Sequence, residues 1–216
     1  MALERVFDFV DRFRRRGQVF PLELKFEPAA LPVAIASAVL AFAYGSLSTF
    51  LSVYAVERNL SGYASYFFAV FAAMIVLTRP ATGRWFDRFG ANALVYPGVF
   101  LFAAGMIALS FARTPAFFLG SGAVIGLGFG ALLPSLQTLA IQSAPRHRAG
   151  LATGTFFLLF DAGYGIGSYA LGVVAAHAGY AGAYLVGGLV SIAMAGLYYL
   201  LVNRPGGGRA APRPAE

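Results

Sequence analysis

The chain has no cysteine, two histidines, one tryptophan and few charges, which make up 12% of its 216 residues. Without cysteine it has no disulfide framework and no thiolate metal site. Cysteine absence says nothing about compartment. A soluble domain of this length carries about twice this charged fraction. The shortage therefore argues against a soluble fold.

What replaces charge is apolar sequence, 59% of the chain. It falls into six stretches, residues 30–54, 61–78, 91–111, 115–140, 151–176 and 181–202. At about 1.5 Å per residue each can cross a hydrocarbon core of about 30 Å, the second only just. Lipid offers no hydrogen bonds to a backbone, so these stretches are expected as helices. Asp161 is the single acid or base within them. A His/Asp/Glu metal cluster is therefore not expected inside the spans.

The net charge of +7 comes from 16 Lys and Arg against 9 acids. Nucleic acid is not the expected partner, because the bases sort by loop rather than onto one face. All but Arg58 and Arg113 fall before the first stretch, after the second and fourth, or in the tail. That bias sets both termini and the even-numbered loops on the cytoplasmic side, against anionic lipid. Six spans require the termini to share a side, which agrees.

Three segments follow. Residues 1–29 are expected as a cytoplasmic amphipathic N-terminal segment, with Leu3, Val6, Phe7, Val10 and Phe13 at helical spacing and Arg14, Arg15 and Arg16 crowding its end. It lacks the continuous apolar run of a signal peptide, and Glu4, Asp8 and Asp11 do not suit a transit peptide. Residues 30–203 form the six-helix bundle. Residues 204–216, rich in Pro and Gly, are expected to be disordered and cytoplasmic.

Small residues mark the helix crossings. Gly122, Gly126 and Gly130 are spaced four apart, and Gly163 and Gly167 repeat the spacing. Pro134 is expected to kink the fourth span. The run Gly126, Gly128, Gly130 loosely matches a dinucleotide-binding turn, but no strand precedes it. Gly120-Ser121-Gly122 with His177 hints at an intramembrane serine protease, but Leu119 stands where that motif needs glycine. No catalytic residue is assigned and no enzyme activity is expected.

After the second stretch the sequence reads Arg79-Pro80-Ala81-Thr82-Gly83-Arg84-Trp85-Phe86-Asp87-Arg88-Phe89-Gly90-Ala91. This resembles the major facilitator superfamily of secondary transporters, whose halves carry a cytoplasmic G-x-x-x-D-R-x-G-[RK]-[RK] loop between their second and third helices. Gly83, Asp87, Arg88 and Gly90 match, and Ala91 and Asn92 depart from the two final bases. In the family the second-half copy decays in this way. Arg146-His147-Arg148-Ala149-Gly150 and the helix holding Phe160-Asp161-Ala162-Gly163 also resemble the entry to the family's eleventh span.

The resemblance implies an all-α membrane protein with six transmembrane helices in a bundle. These would form two inverted three-helix repeats, half of a major facilitator fold in a bacterial inner (plasma) membrane. It implies that Gly83, Asp87, Arg88 and Gly90 form a conformational-switch loop, with Asp87 as a latch. The alternative is a plain surface turn. In the family the first and fourth helices of each half line the cavity, which makes Tyr44, Ser48 and Gln137 pathway candidates. Singly, each also fits interhelical packing. Asp161 reads equally as a proton-coupling or substrate-contact carboxyl and as a structural acid between helices. Its stripe of Gly154, Leu158, Gly165, Ser168 and Gly172 is expected to face protein or water. Tyr54, Tyr63, Tyr180 and Tyr184 at one set of ends, and Trp85, Tyr198 and Tyr199 at the other, read as interfacial anchors.

The function implied is movement of a small solute by alternating access. No cofactor is expected beyond a coupled proton. The expected partners are a small-molecule substrate, the lipid bilayer, and a second six-helix half or a homodimeric copy. The family's cavity lies between two six-helix halves, and this chain supplies one wall. A truncated gene, a separately encoded half and a homodimer all fit that length. A non-transporting membrane assembly protein is the other class in view.

Overall fold

The computed structural model describes residues 26–203. Residues 1–25 of the amphipathic segment expected over residues 1–29, and the tail at 204–216, lie outside the described residues. All regular structure among the described residues is helical. Five runs are long and apolar enough to cross a membrane. They are α1 (Leu31–Glu57), α2 (Ala64–Phe89), α3 (Asn92–Ser110), α4 (Pro115–Ser143) and α5 (Ala149–Tyr198).

Local chemistry sets the ends. Thr114 caps α4, its side chain accepting from the Phe117 N–H at 3.3 Å, and Pro115 opens the helix where no N–H is needed. Asn59 takes a left-handed φ of 58° just beyond α1, and the Leu60 N–H returns to the Ala55 carbonyl.

At 50 residues, α5 is far longer than one crossing. Its backbone leaves helical values at Gly179, with φ 73° and ψ 168°. A side chain there would be strained, so glycine suits the break. The neighbours show the chain reversing. In the first leg, residues 149–178, Gly163 lies against Ala38 and Gly167 against Phe42, so this leg runs parallel to α1. In the second leg, residues 180–198, Tyr184 meets Tyr54 and Gly187 lies nearest Met106, Ser46 and Ala43, so this leg runs antiparallel to α1.

The segment after the second apolar stretch is helix, not the loop expected from sequence. α2 continues through Pro80 to Phe89. Pro80 removes one backbone donor, but Ala81, Arg84 and Arg88 after it favour helix. The turn shrinks to Gly90 and Ala91, with Gly90 at φ 77°. Gly83 is helical and its missing Cβ would meet open space, so it does not shape a turn. α4 likewise remains helical through Pro134.

Glycine determines how the helices pack. A Cβ at Gly126 would lie 2.6 Å from the Phe71 carbonyl oxygen, and one at Gly122 would lie 2.8 Å from the Phe67 ring. Gly130 abuts Thr78 and Ile75. α2 and α4 are therefore parallel and in close contact. α3 runs behind them, antiparallel to α4, with Gly98 against Leu132 and Gly105 against Ile125. Leu40, Leu47, Phe102, Met106, Leu132 and Met194 fill the core between these layers. α2 is peripheral, burying Phe67, Phe71 and Thr82.

The end that carries Arg79, Arg84, Arg88, Arg146 and Arg148 is called the basic end below. There Tyr198 donates to Asn92 Oδ1 at 2.9 Å, Asn92 Nδ2 donates to Asn203 Oδ1 at 3.1 Å, and Asn203 Nδ2 donates to the Tyr96 hydroxyl at 3.0 Å. Arg148 pairs with the buried Glu27 at 3.5 Å, and the Glu27 N–H donates to Thr155 Oγ1. At the opposite end Tyr54 donates to the Leu109 carbonyl at 2.8 Å. Tyr54, Tyr184 and Tyr198 are thus buried inside the bundle rather than set out as interfacial anchors. Trp85, Tyr63 and Tyr199 are exposed.

Candidate functional site

Four helices meet around one ring. Tyr44 of α1 stacks on Phe129 of α4 with centroids 4.4 Å apart, and its ring lies 6.2 Å from Phe71 of α2 and 6.0 Å from Tyr164 of the first leg of α5. Glycine makes the meeting possible. A Cβ at Gly45, beside Tyr44, would lie 2.7 Å from the Tyr164 carbonyl oxygen and 2.7 Å from Ser168 Oγ. Phe129 is flanked by Gly128 and Gly130, both pressed against other helices. Tyr164 follows Gly163, which abuts Ala38.

Polar groups border this aromatic platform on both sides. Toward the end opposite the basic one, the Tyr164 hydroxyl donates to Ser48 Oγ at 3.3 Å, and Thr49 Oγ1 donates to Ser168 Oγ at 3.2 Å. Ser48, Thr49 and Ser52 are exposed. Ser168 and Gly172 of the expected stripe are half-buried, against Thr49 and Phe50 respectively, whereas Gly154, Leu158, Asp161 and Gly165 are exposed.

Asp161 precedes Tyr164 by three residues, which on a helix brings their Cβ atoms to about 5–6 Å. It lies within about 20° of Ser168 around the axis, and well away from Gly163 and Gly167, which face α1. An acid facing lipid at mid-membrane costs about 2.5–3.5 kcal/mol on insertion scales, so this face calls for water or protein.

Gln137 lies about 12 Å beyond Phe129 along α4, toward the basic end. It lines a cleft of about 500 Å³ between α2 and α4, shared with Phe129, Thr138, Arg79 and Asp87. Gly83 borders the same cleft. The cleft therefore joins the platform to the basic end. Asp87 opens onto it from the last turns of α2, whereas Arg88 lies over the Phe89 ring at 5.1 Å.

Of the sequence candidates, Tyr44 and Ser48 sit at the platform, Asp161 is one helical turn from it, and Gln137, Asp87 and Gly83 sit along the cleft. Gly90 forms the turn, and Arg88 is turned onto Phe89. Sequence reasoning missed Phe71, Phe129 and Tyr164. Two of these had a visible signal, because Phe129 and Tyr164 each stand between two glycines, as Tyr44 stands beside Gly45. An aromatic ring beside glycine in an apolar run marks a close crossing with a ring directed into it. Ser121, from the rejected protease pattern, is buried and donates to its own helix at Phe118.

Residues 33–216 match the family profile described as Major Facilitator Superfamily. An uncharacterized MFS-type transporter of Methanocaldococcus jannaschii is 28% identical over 156 residues, 72% of this chain and 40% of the relative. An uncharacterized MFS-type transporter of Burkholderia mallei is 25% identical over 177 residues, 82% of this chain and 42% of the relative. The crystal structure of the POT family transporter PepTSo shares the fold, with a TM-score of 0.70 and 17% identity, over 89% of this chain and 40% of that one. The chain thus spans about two-fifths of the length of these proteins. With its glycine-packed apolar helices and a family match over most of its length, the chain belongs to the Major Facilitator Superfamily.

Proposed function

We propose that the chain is one six-helix half of a secondary transporter, moving a small solute by alternating access. The two legs of α5 act as the fifth and sixth spans. The basic end faces the cytoplasm of a bacterial cell, where it meets anionic lipid. The membrane is the inner one.

Two inverted three-helix repeats suit the packing. A two-fold axis in the membrane plane would exchange α1 with α4, α2 with the first leg of α5, and α3 with the second leg. It would then exchange the pair of α1 and the first leg with the pair of α4 and α2. Both pairs are parallel and glycine-packed. Tyr44 and Phe129, on the two exchanged helices α1 and α4, stack on each other, as residues near such an axis would.

The observation that carries the functional reading is the platform with its polar border. Ser48 borders the rings from four helices, Asp161 lies one helical turn from them, and Gln137 lines the adjoining cleft, on a face that lipid would not solvate. A second six-helix unit covering that face would enclose a midplane site. Either the solute or a coupled proton then meets Asp161. Asp87 and Gly83, at the inner mouth of the cleft, serve as the moving contact when the halves rock.

The test is transport. The chain is reconstituted into vesicles alone, and with the product of any reading frame immediately upstream that encodes six further spans. Solute uptake is then screened under a pH gradient. Uptake is expected when a second half, or a second copy, completes the cavity. Stable complexes that move no solute would remove the transport reading.

A further inference from the structure

We propose that the wall built from Tyr44, Tyr164 and Asp161, backed by the buried Phe71 and Phe129, takes an apolar organic cation. This deepens the transport reading and rests on it for the site's role as a pathway. The chemistry comes from the wall itself. Aromatic faces carry the negative part of the ring quadrupole, and they attract a cation within about 6 Å. Tyr44 and Tyr164 are half-buried and so partly open to a ligand, while the buried Phe71 and Phe129 back Tyr44 from within the bundle.

The one acidic side chain beside them has the matching sign when ionised. Asp161 is exposed and lies a helical turn from Tyr164, with the exposed Phe157 one turn before it. No Lys or Arg lies within the apolar stretches to neutralise it or to favour an anion. Arg79, at the cleft, lies about 12 Å along α2 from Phe71, toward the basic end. Hydroxyls at Ser48 and Thr49 complete the border with donors and acceptors but no charge. An anion would meet repulsion from Asp161 here. A neutral polar solute would leave that carboxylate unpaired and the rings poorly used. A cation with apolar substituents pairs with both.

Two ions of nearly equal size and shape but opposite charge provide the test, tetraphenylphosphonium and tetraphenylborate. Binding of each to the full chain is measured in nanodiscs of zwitterionic lipid. After subtraction of partition into empty nanodiscs, the phosphonium is expected to bind the protein saturably, and the borate is expected neither to bind it nor to compete. Asp161→Asn should weaken phosphonium binding about tenfold or more, and Asp161→Glu should restore most of it. Asp161 is exposed, so neither change removes packing. Tyr44→Leu keeps the site apolar but removes a π face, and should weaken phosphonium binding too. Glu57→Gln, an exposed carboxyl beyond the platform, should leave binding unchanged.

Borate binding equal to that of the phosphonium would overturn the proposal, as would phosphonium binding unaffected by Asp161→Asn. The transport assay separates this outcome from the broader reading. Phosphonium binding of this pattern with no cation uptake in any stable pairing would leave the cation site standing and remove transport. Uptake of an anionic or neutral solute, with no phosphonium binding, would overturn the cation site and leave transport standing.

Discussion

Tyr44 and Phe129 stack at 4.4 Å with their planes 23° apart, joining α1 to α4 where α2 and the first leg of α5 also meet. The contact places two large rings at a crossing that is otherwise made close by glycine. The same crossing is bordered by Ser48 and continues into the cleft holding Gln137. Packing and site are therefore parts of one arrangement. The glycines that bring the helices together also bring the rings together.

That dependence can be measured on glycine. A Cβ at Gly163 would fall on the Ala38 backbone and one at Gly167 on the Phe42 backbone. Backbone cannot step aside as a side chain can. Gly163→Ala or Gly167→Ala should each cost about 1–3 kcal/mol in detergent unfolding. Gly165→Ala, two residues away and facing open space, should change stability by less than about 0.5 kcal/mol.

The two buried tyrosines at the end opposite the basic one should respond differently to the same change. Tyr54 donates to the Leu109 carbonyl, whereas among the described residues the buried Tyr184 hydroxyl has no partner. Tyr54→Phe should lose about 1 kcal/mol, and Tyr184→Phe should lose nothing or gain stability. Thermal unfolding of the two variants side by side tests the contrast.

Asn92 stands where the resembled loop carries a base, and it is occupied in another way. It accepts from Tyr198 and donates to Asn203, which donates to Tyr96, and the edge-on packing of the Tyr96 and Tyr198 rings at 5.7 Å closes the ring. Asn92→Lys restores the motif's charge but removes the acceptor. It should destabilise by about 1 kcal/mol or more rather than improve the protein. Unchanged stability would show that the ring contributes nothing.

The orientation proposed from the charge bias is simple to measure, because the chain lacks cysteine. Single cysteines at Ser61 and His177 should react with an impermeant thiol reagent from outside intact cells. One at Arg146 should react after lysis alone. Labelling of position 146 in intact cells would reverse the orientation.

Much of the bundle was legible because lipid leaves helices little choice. Long apolar runs led to an all-helical membrane fold, and four-residue glycine spacing marked α4 and the first leg of α5 for close crossings without naming their partners. The helical continuation through Pro80 was not legible, because charge after the apolar run reads as loop while Arg84, Trp85, Phe86 and Arg88 are compatible with helix. The single-residue reversal at Gly179 was expected as a loop over residues 177–180. Its economy depends on one positive φ, which sequence does not display. At the site, Tyr44, Ser48, Gln137 and Asp161 were singled out from hydrogen-bonding chemistry and the family resemblance. Phe71 was invisible, since a phenylalanine among phenylalanines in an apolar run carries no mark. Tyr54, Tyr184 and Tyr198 misled for a related reason, because an amphipathic ring near a helix end suits both an interface and a buried partner.

One face of this bundle is predicted to belong to a water-filled pathway and not to lipid. Single cysteines at Ser48 and Gln137, compared with one at Phe100, test it most directly. Phe100 is 59% exposed on α3 but belongs to no polar border. Labelled in membranes with a small polar thiol reagent, positions 48 and 137 are predicted to react readily while position 100 stays silent. Positions 48 and 137 as unreactive as position 100 would contradict the account.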